Sequence, residues 1–453
     1  RRGCPGVSVV AHDTLAKGEA PLRLVPAGSW VALGVTWFIW VINAFDLEVI
    51  LRLGPSITTH FRLSAERWGA ITSLVMLALA VMPIAGSRMS DRHGVGWRRA
   101  FFQVPLVIAY NLLSALTGIK AIAHSFVVFV VLRVGVNLGA GWGEPIGISN
   151  TAEWWPKERR GFALGVHHTG YPVGALFSGI VVSAMLRMLG DENWMYVFFV
   201  GLIASIPIML FWWRYSTEAR LDETCAKIAD RGMTVPLSKT EAQEHREAKG
   251  AVRLCLRNRV VMLTSGTTLL TQIVYMGISY VLPLYLANIV GLDYAAAAAY
   301  SIVFTLTGVL GQIFWPTVSD YLGRRTTIVL CGAWMAVGVG AFYFATAMPM
   351  YIGLQLFFGL VANAVWPIYY ASATDHAPKG AHGTANGFIT TAMFIGGGIA
   401  PVLMGRLIGL GGGWEAVTGY RLTFVVMAVC AALGVVFQLF VPKRAAGTTE
   451  HDA

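Results

Sequence analysis

Of the 453 residues, 56% are hydrophobic and 13% charged, and the mean hydropathy of +0.61 excludes an ordinary soluble chain of this length. The net charge of +10 would suit nucleic acid, but the basic residues sit in short loops between apolar runs, so they read as topology signals and nucleic-acid binding is set aside. Five scattered cysteines without metal-like spacing exclude a disulfide framework, and what remains is a polytopic membrane protein.

Residues 1–29 are polar, lack the apolar core of a secretory signal and do not begin with Met. The natural start is therefore left open, and the first span is expected to direct insertion. Apolar runs of about 20 residues place spans near 31–51, 68–87, 99–119, 126–150, 162–188 and 194–214. Residues 215–259 break this pattern with Lys, Arg and Glu and read as a linker carrying some surface helix. Six more spans follow near 260–290, 295–317, 326–347, 350–372, 384–408 and 421–441. The expected organisation is a tail over 1–29, a six-helix bundle over 30–214, a linker over 215–259, a second bundle over 260–441 and a tail over 442–453. Arg88, Arg92, Arg98, Arg99, Lys157, Arg159, Arg160, Arg324, Arg325, Lys443 and Arg444 fall on one side with the linker, which makes that side, and both tails, cytoplasmic. Arg62, Arg67, Lys120 and Arg187 are exceptions to this bias.

Ionisable groups inside the spans carry the functional signal, because a charge at membrane depth costs at least ~2.5 kcal/mol. Asp46 lies mid-span between Phe45 and Leu47 and is a candidate for reversible protonation; a structural hydrogen bond to another helix is the alternative. Arg133, Asn137 and Glu144 share one face of the fourth span, with Pro145 favouring a kink at the carboxylate. Glu144 is a second proton-coupling candidate. Arg133 would either bind an anion or neutralise Glu144 or Asp46. Glu48 suits a cavity mouth, while Arg52 and Arg406 are expected to snorkel at the external ends of spans 1 and 11. His167 and His168 open the fifth span; adjacent positions point about 100° apart, so both cannot face one site, and packing is the favoured reading. In span 7, Gln272, Tyr275 and Ser279 form a polar-aromatic stripe at helical spacing, as do Asn363, Trp366 and Tyr370 in span 10. Such stripes suit cavity lining and ordinary packing alike.

The halves repeat. Pro156-Lys157-Glu158-Arg159-Arg160-Gly161 is echoed by Pro378-Lys379-Gly380-Ala381-His382-Gly383, each between a fourth and a fifth span of its half. Asp91-Arg92-His93-Gly94 with Arg98 and Arg99 is echoed by Asp320-Tyr321-Leu322-Gly323-Arg324-Arg325, each between a second and a third span.

At these residues the sequence resembles the major facilitator superfamily, whose loop between spans 2 and 3 carries G-x-x-x-D-R-x-G-R-R. The second copy matches from Asp320 to Arg325, whereas the first has Val95, Gly96 and Trp97 inserted before its arginines and Ser87 at the leading glycine. The resemblance implies an all-α membrane protein, twelve transmembrane helices in two pseudo-symmetric six-helix bundles, working as a monomer by alternating access without a cofactor. It also implies a conformational latch at Asp91, Arg92, Arg98, Asp320, Arg324 and Arg325. Arg133 resembles the superfamily's fourth-span arginine. Ile42-Asn43-Ala44-Phe45-Asp46 with Gly143-Glu144-Pro145 is similar to the organic-anion:proton symporters, which include sialin-like and sugar-acid carriers, although Leu47 stands where those carriers place an arginine.

The activity expected is proton-coupled uptake of a small organic acid across the cell membrane, in a bacterium the inner membrane. Asp46 and Glu144 would exchange protons, and Arg133, Asn137, Gln272, Tyr275, Asn363, Trp366 and Tyr370 would line the substrate cavity. The rival is an efflux antiporter for a lipophilic or cationic compound, since Asp46, Glu48 and Glu144 outweigh the positive charge nearby. A receptor without transport is the alternative of another class. No zinc-protease spacing, nucleophile elbow or phosphate loop marks an enzyme.

Overall fold

The computed structural model describes residues 21–83, 97–236, 250–378 and 381–442, without the side chains of residues 97, 98, 144, 145, 251, 320, 382 and 383. Among the described residues every regular element is helical. The first half contains α1 (Ala27–Arg52), α2 (Gly54–His60), α3 (Ala65–Val81), α4 (Trp97–Thr117), α5 (Lys120–Ala123), α6 (Phe126–Glu153), α7 (Arg160–His168), α8 (Gly170–Leu189) and α9 (Phe199–Tyr215). The linker supplies α10 (Glu218–Asp230) and α11 (Ala251–Arg257). The second half contains α12 (Arg259–Asn288), α13 (Tyr294–Tyr300), α14 (Val303–Leu322), α15 (Arg324–Ala341), α16 (Met348–Ala362), α17 (Trp366–Asp375), α18 (His382–Leu410) and α19 (Val417–Leu439). Among the described residues eleven stretches are long and apolar enough to cross a membrane, and the number is twelve if α2 and α3, bent by 119° between them, count as one span. Leu74, Val127, Val131, Ile203, Leu310, Ile313, Val337 and Val429 are exposed along the spans, while Asp46, Glu48, Arg52, Arg133 and Gln355 are buried. This is the distribution a chain surrounded by hydrocarbon requires.

Among the described residues the fifth, eighth and tenth spans are broken where a hydropathy reading is continuous, the eighth at Ser301 and Ile302 between α13 and α14. The fifth breaks at Thr169, whose hydroxyl donates to Val166 O (2.7 Å) and accepts from the Trp37 indole (3.0 Å). The tenth breaks between Ala362 and Trp366, because Pro367 in the first turn of α17 has no N–H to continue the ladder.

Packing gathers the described residues into two compact units: residues 21–46, 81–83, 97–174 and 198–236 in one, and residues 47–80, 175–197, 250–378 and 381–442 in the other. The core of the first contains Tyr110, Trp154, Trp155 and Trp212, with the Trp155 indole donating to Ser29 O at 2.8 Å. The linker helix α10 is capped by Thr217, which accepts from Arg220 N, and it buries Thr224, Cys225 and Ile228. Arg231 then donates to Leu24 O, and Thr234 pairs with Lys157 N and the Glu158 carboxylate. The polar linker is thus tied to the first unit by its amphipathic face.

In the second unit α3 crosses α18 at backbone contact. A Cβ on Gly69 would stand 2.5 Å from Pro401 O, and one on Gly405 would stand 2.5 Å from Ala65 O, so neither position admits a side chain. The Ser73 hydroxyl accepts from Val402 N at 2.8 Å, and the Trp414 indole donates to Leu63 O at 2.9 Å. Gly405→Leu is expected to force α3 away from α18. Labelling of Ser73→Cys by an impermeant maleimide should then accelerate about tenfold or more, the effect of losing over 1.4 kcal/mol of packing. An unchanged labelling rate would mean that the crossing is not a seal.

Candidate functional site

A buried ion pair joins the first and fourth spans in the first unit. Arg133 Nη2 donates to Asp46 Oδ2 at 2.7 Å and to the Asp46 backbone carbonyl at 3.0 Å, while Nη1 reaches Asp46 Oδ1 at 3.4 Å. Ser114 on α4 closes the triangle: its hydroxyl donates to Asp46 Oδ1 and accepts from Arg133 Nη1 at 3.1 Å. The guanidinium also lies 4.8 Å over the Phe198 ring. Asp46 is 3% exposed, and Arg133 and Ser114 are fully buried, so the pair is withdrawn from water and held together by its own hydrogen bonds. Of the two carboxylates the sequence offers Arg133, Asp46 is the one observed on it. Asn137 is buried one turn further along α6, and the Glu144 side chain lies outside the described residues.

A second pair belongs to the other unit. Glu48 and Arg52 are one turn apart on α1, and Arg52 Nη2 donates to Glu48 Oε2 at 2.6 Å with both side chains fully buried. Arg52 Nη1 reaches Ser279 O at 3.3 Å, Ser301 O at 3.4 Å and Ser301 Oγ at 3.3 Å. The expectation that Arg52 snorkels is therefore overturned. An internal counter-charge one turn earlier, together with the Ser279 carbonyl of α12 and the Ser301 carbonyl at the break between α13 and α14, replaces water around the guanidinium. Arg406 is exposed.

The two polar-aromatic stripes meet in the second unit. Asn363 Nδ2 faces Tyr275 OH at 3.5 Å, and the Trp366 indole donates to Asn363 Oδ1 at 3.4 Å. Tyr275 and Trp366 pack edge to face at 6.4 Å between ring centres. The break in the tenth span sets Asn363 at the end of α16, where its side chain can address both neighbours. Tyr370 instead hydrogen-bonds Thr390 at 3.0 Å, and Gln272 is buried against Gly396 and Gly397 of α18. Among the described residues no group of three His, Cys, Asp or Glu side chains could hold a metal ion.

Residues 36–304 and 264–452 match the Major Facilitator Superfamily. The chain belongs to this superfamily. It is similar to a bacterial homologue of the lysosomal transporter Spinster solved in an inward-facing, unoccupied conformation, with a TM-score of 0.72 at 19% identity over 91% of this chain and 96% of that one. A D-xylose-proton symporter also superposes with a TM-score of 0.72, at 15% identity over 93% of this chain and all of the other. Among characterised sequences it is 25% identical to the "Probable sulfoacetate transporter SauU" of Cupriavidus necator, over 92% of this chain and 97% of the relative. It is likewise 25% identical to the cis,cis-muconate transport protein of Acinetobacter baylyi, over 89% and 92%, and 23% identical to the hexuronate transporter of Bacillus subtilis, over 81% and 85%. This superfamily member is a multi-pass membrane transporter and not an enzyme.

The repeated superfamily loops contain further pairs. Asp91 and Arg92 lie outside the described residues, as do the side chains of Arg98 and Asp320. Gly323, at φ 83°, makes the reversal between α14 and α15. Arg324 follows it, donates to Ser319 Oγ and lies 3.7 Å from Asp375. Arg325 bonds Gln438 O (3.1 Å) and Leu439 O (2.7 Å), the open carbonyls at the end of α19. In the first copy Arg99 pairs with Glu153. Sequence reasoning missed Glu153 and Asp375, although the repeat marks them: each stands three residues before the proline that opens its loop, Pro156 or Pro378.

Proposed function

We propose that this transporter is a proton-coupled symporter that takes up a small organic acid by alternating access. The observation that carries the reading is the buried Asp46–Arg133 pair with Ser114 bridging it. When Asp46 is ionised, its carboxylate occupies the guanidinium. When it takes a proton the guanidinium loses its counter-charge, and a buried, uncompensated cation costs about 3–5 kcal/mol. A substrate carboxylate or sulfonate can supply the missing charge. Proton and anion therefore load together, and loss of the proton restores the internal pair and expels the anion. The names of the relatives support this substrate class, since sulfoacetate, muconate and hexuronate are all small organic anions.

Glu144 is retained as a second proton carrier, and Asn137, Gln272, Tyr275, Asn363, Trp366 and Tyr370 as substrate contacts. With both termini cytoplasmic, as the positive-inside bias supports, the α3–α18 crossing and the Arg52 bonds close the external ends of their helices. The charged pairs at the repeated loops then act as the cytoplasmic latch; Arg324 and Asp375 are part-exposed, so their pairing contributes about 0–1 kcal/mol, weak enough to switch. One chain in the bacterial inner membrane suffices for this cycle. The efflux reading rested on an acidic excess, yet Asp46 and Glu48 are each matched by an arginine, which removes the attraction for a cation at both positions.

Counterflow into proteoliposomes tests the substrate class. Vesicles loaded with unlabelled sulfoacetate, muconate or a hexuronate should transiently concentrate the same labelled acid, whereas amines and neutral sugars should not exchange. Exchange of amines alone would overturn the reading, and binding of an acid without flux would make the protein a receptor.

A further inference from the structure

We propose that the proton carried by Asp46 is released through a polar seam inside the first unit, with His167 as its relay, and does not share the substrate's exit; this rests on the proton-coupled reading above. Three helices carry the seam away from the ion pair toward the N-terminal end of α1. On α1 the steps from Asp46 are Asn43, Trp40 and Thr36, each three or four residues apart and so successive on one face. On α4, Tyr110 precedes Ser114 by one turn, and on α6 the sequence passes from Arg133 through Asn137 and Gly147 to Thr151.

One turn from the carboxylate, about 5–6 Å between Cβ atoms, these faces enclose a cavity of about 10 Å³ lined by Thr36, Trp40, Asn43, Tyr110, Gly143 and His167. That is room for a single water. Trp40 and Asn43 are 8% and 4% exposed, and among the described residues the Trp40 indole N–H and Asn43 Oδ1 have no hydrogen-bond partner. They are a donor and an acceptor on one small cavity, the pair a relaying water needs.

Beyond the cavity the path consists of groups that both give and take protons. His167, 2% exposed, is stacked by Trp40 with 6.0 Å between ring centres, and its Nδ1 lies 3.5 Å from Thr151 Oγ1. Thr151 Oγ1 in turn lies 2.8 Å from Thr36 Oγ1. In the transfer the Asp46 carboxyl O–H bond breaks and its proton passes to the cavity water. That water gives a proton to His167 Nε2, and Nδ1 gives one to the Thr151 hydroxyl. Thr151 passes its own to Thr36, which is fully buried, so the last transfer, from Thr36 to a water molecule, takes place when the transport cycle hydrates the N-terminal part of α1. One proton leaves for each one released by Asp46, which ends as the carboxylate paired with Arg133, and every intermediate group ends neutral. Without an imidazole the chain has no group between the cavity and the hydroxyls that can take a proton on one atom and give it from another.

The test uses the full chain in sealed proteoliposomes with sulfoacetate and cis,cis-muconate as probes, reading internal acidification and labelled counterflow on the same preparation. His167→Gln keeps a polar side chain of similar reach, and Thr151→Val keeps the shape, so the second tests the same path should the first fold poorly. The ratio of proton flux to exchange is expected to fall about tenfold or more in His167→Gln, and severalfold in Thr151→Val. Wild-type ratios in a folded His167→Gln and in Thr151→Val overturn the seam while leaving the symport reading intact. Exchange without any wild-type proton flux overturns both.

Discussion

Asp46→Asn is expected to abolish uphill accumulation of the acid while exchange down its gradient remains measurable. Asn has the shape of the protonated carboxyl and cannot ionise, so Arg133 stays open to the anion throughout the cycle and the affinity for the acid should not fall. Arg133→Met is the opposite case. It leaves Asp46 buried with Ser114 but no cation, a loss of about 3–5 kcal/mol of stability, and it removes the guanidinium that the anion is proposed to bind. Both accumulation and exchange should vanish in that variant. Retained uphill uptake in Asp46→Asn would remove Asp46 from the coupling mechanism.

The second large effect is expected at Arg52. Arg52→Met strands Glu48 in the protein interior and removes the donor shared by Ser279 O and Ser301 O. The variant should lose about 3–5 kcal/mol, visible as a lowered Tm in detergent. Glu48→Gln combined with Arg52→Met should recover much of that loss, because removing both charges avoids an unpaired ion. A double variant as unstable as the single one would place the worth of Arg52 in its bonds to the carbonyls and not in its ion pair.

The spans were legible because hydrocarbon demands long apolar helices. The seventh was expected near 260–290 and runs Arg259–Asn288; the last was expected near 421–441 and runs Val417–Leu439. The breaks at Thr169 and after Ala362 were not, since a hydropathy window averages over a lost hydrogen bond. Arg52 was misread for a related reason. Its position at the end of a span suggested water nearby, and sequence alone does not reveal carbonyls more than 220 residues away. The same limit left Arg133 with two candidate partners: Glu144 is close in sequence, whereas Asp46 is 87 residues distant and reached only through the packing of α1, α4 and α6. Tyr275, Asn363 and Trp366 were legible as stripes, because helical spacing fixes a face, but not as one cluster. Tyr370, on the same stripe, bonds Thr390 of α18 instead.

The coupling of proton to anion is tested most directly by the internal pH of proteoliposomes at zero membrane potential when sulfoacetate, cis,cis-muconate or a hexuronate is added outside. Release of the Arg133 counter-charge on protonation of Asp46 predicts acidification of the lumen with at least one acid, absent in Asp46→Asn. Alkalinisation on adding amines, with no response to any acid, would contradict it and assign the protein to proton-driven efflux.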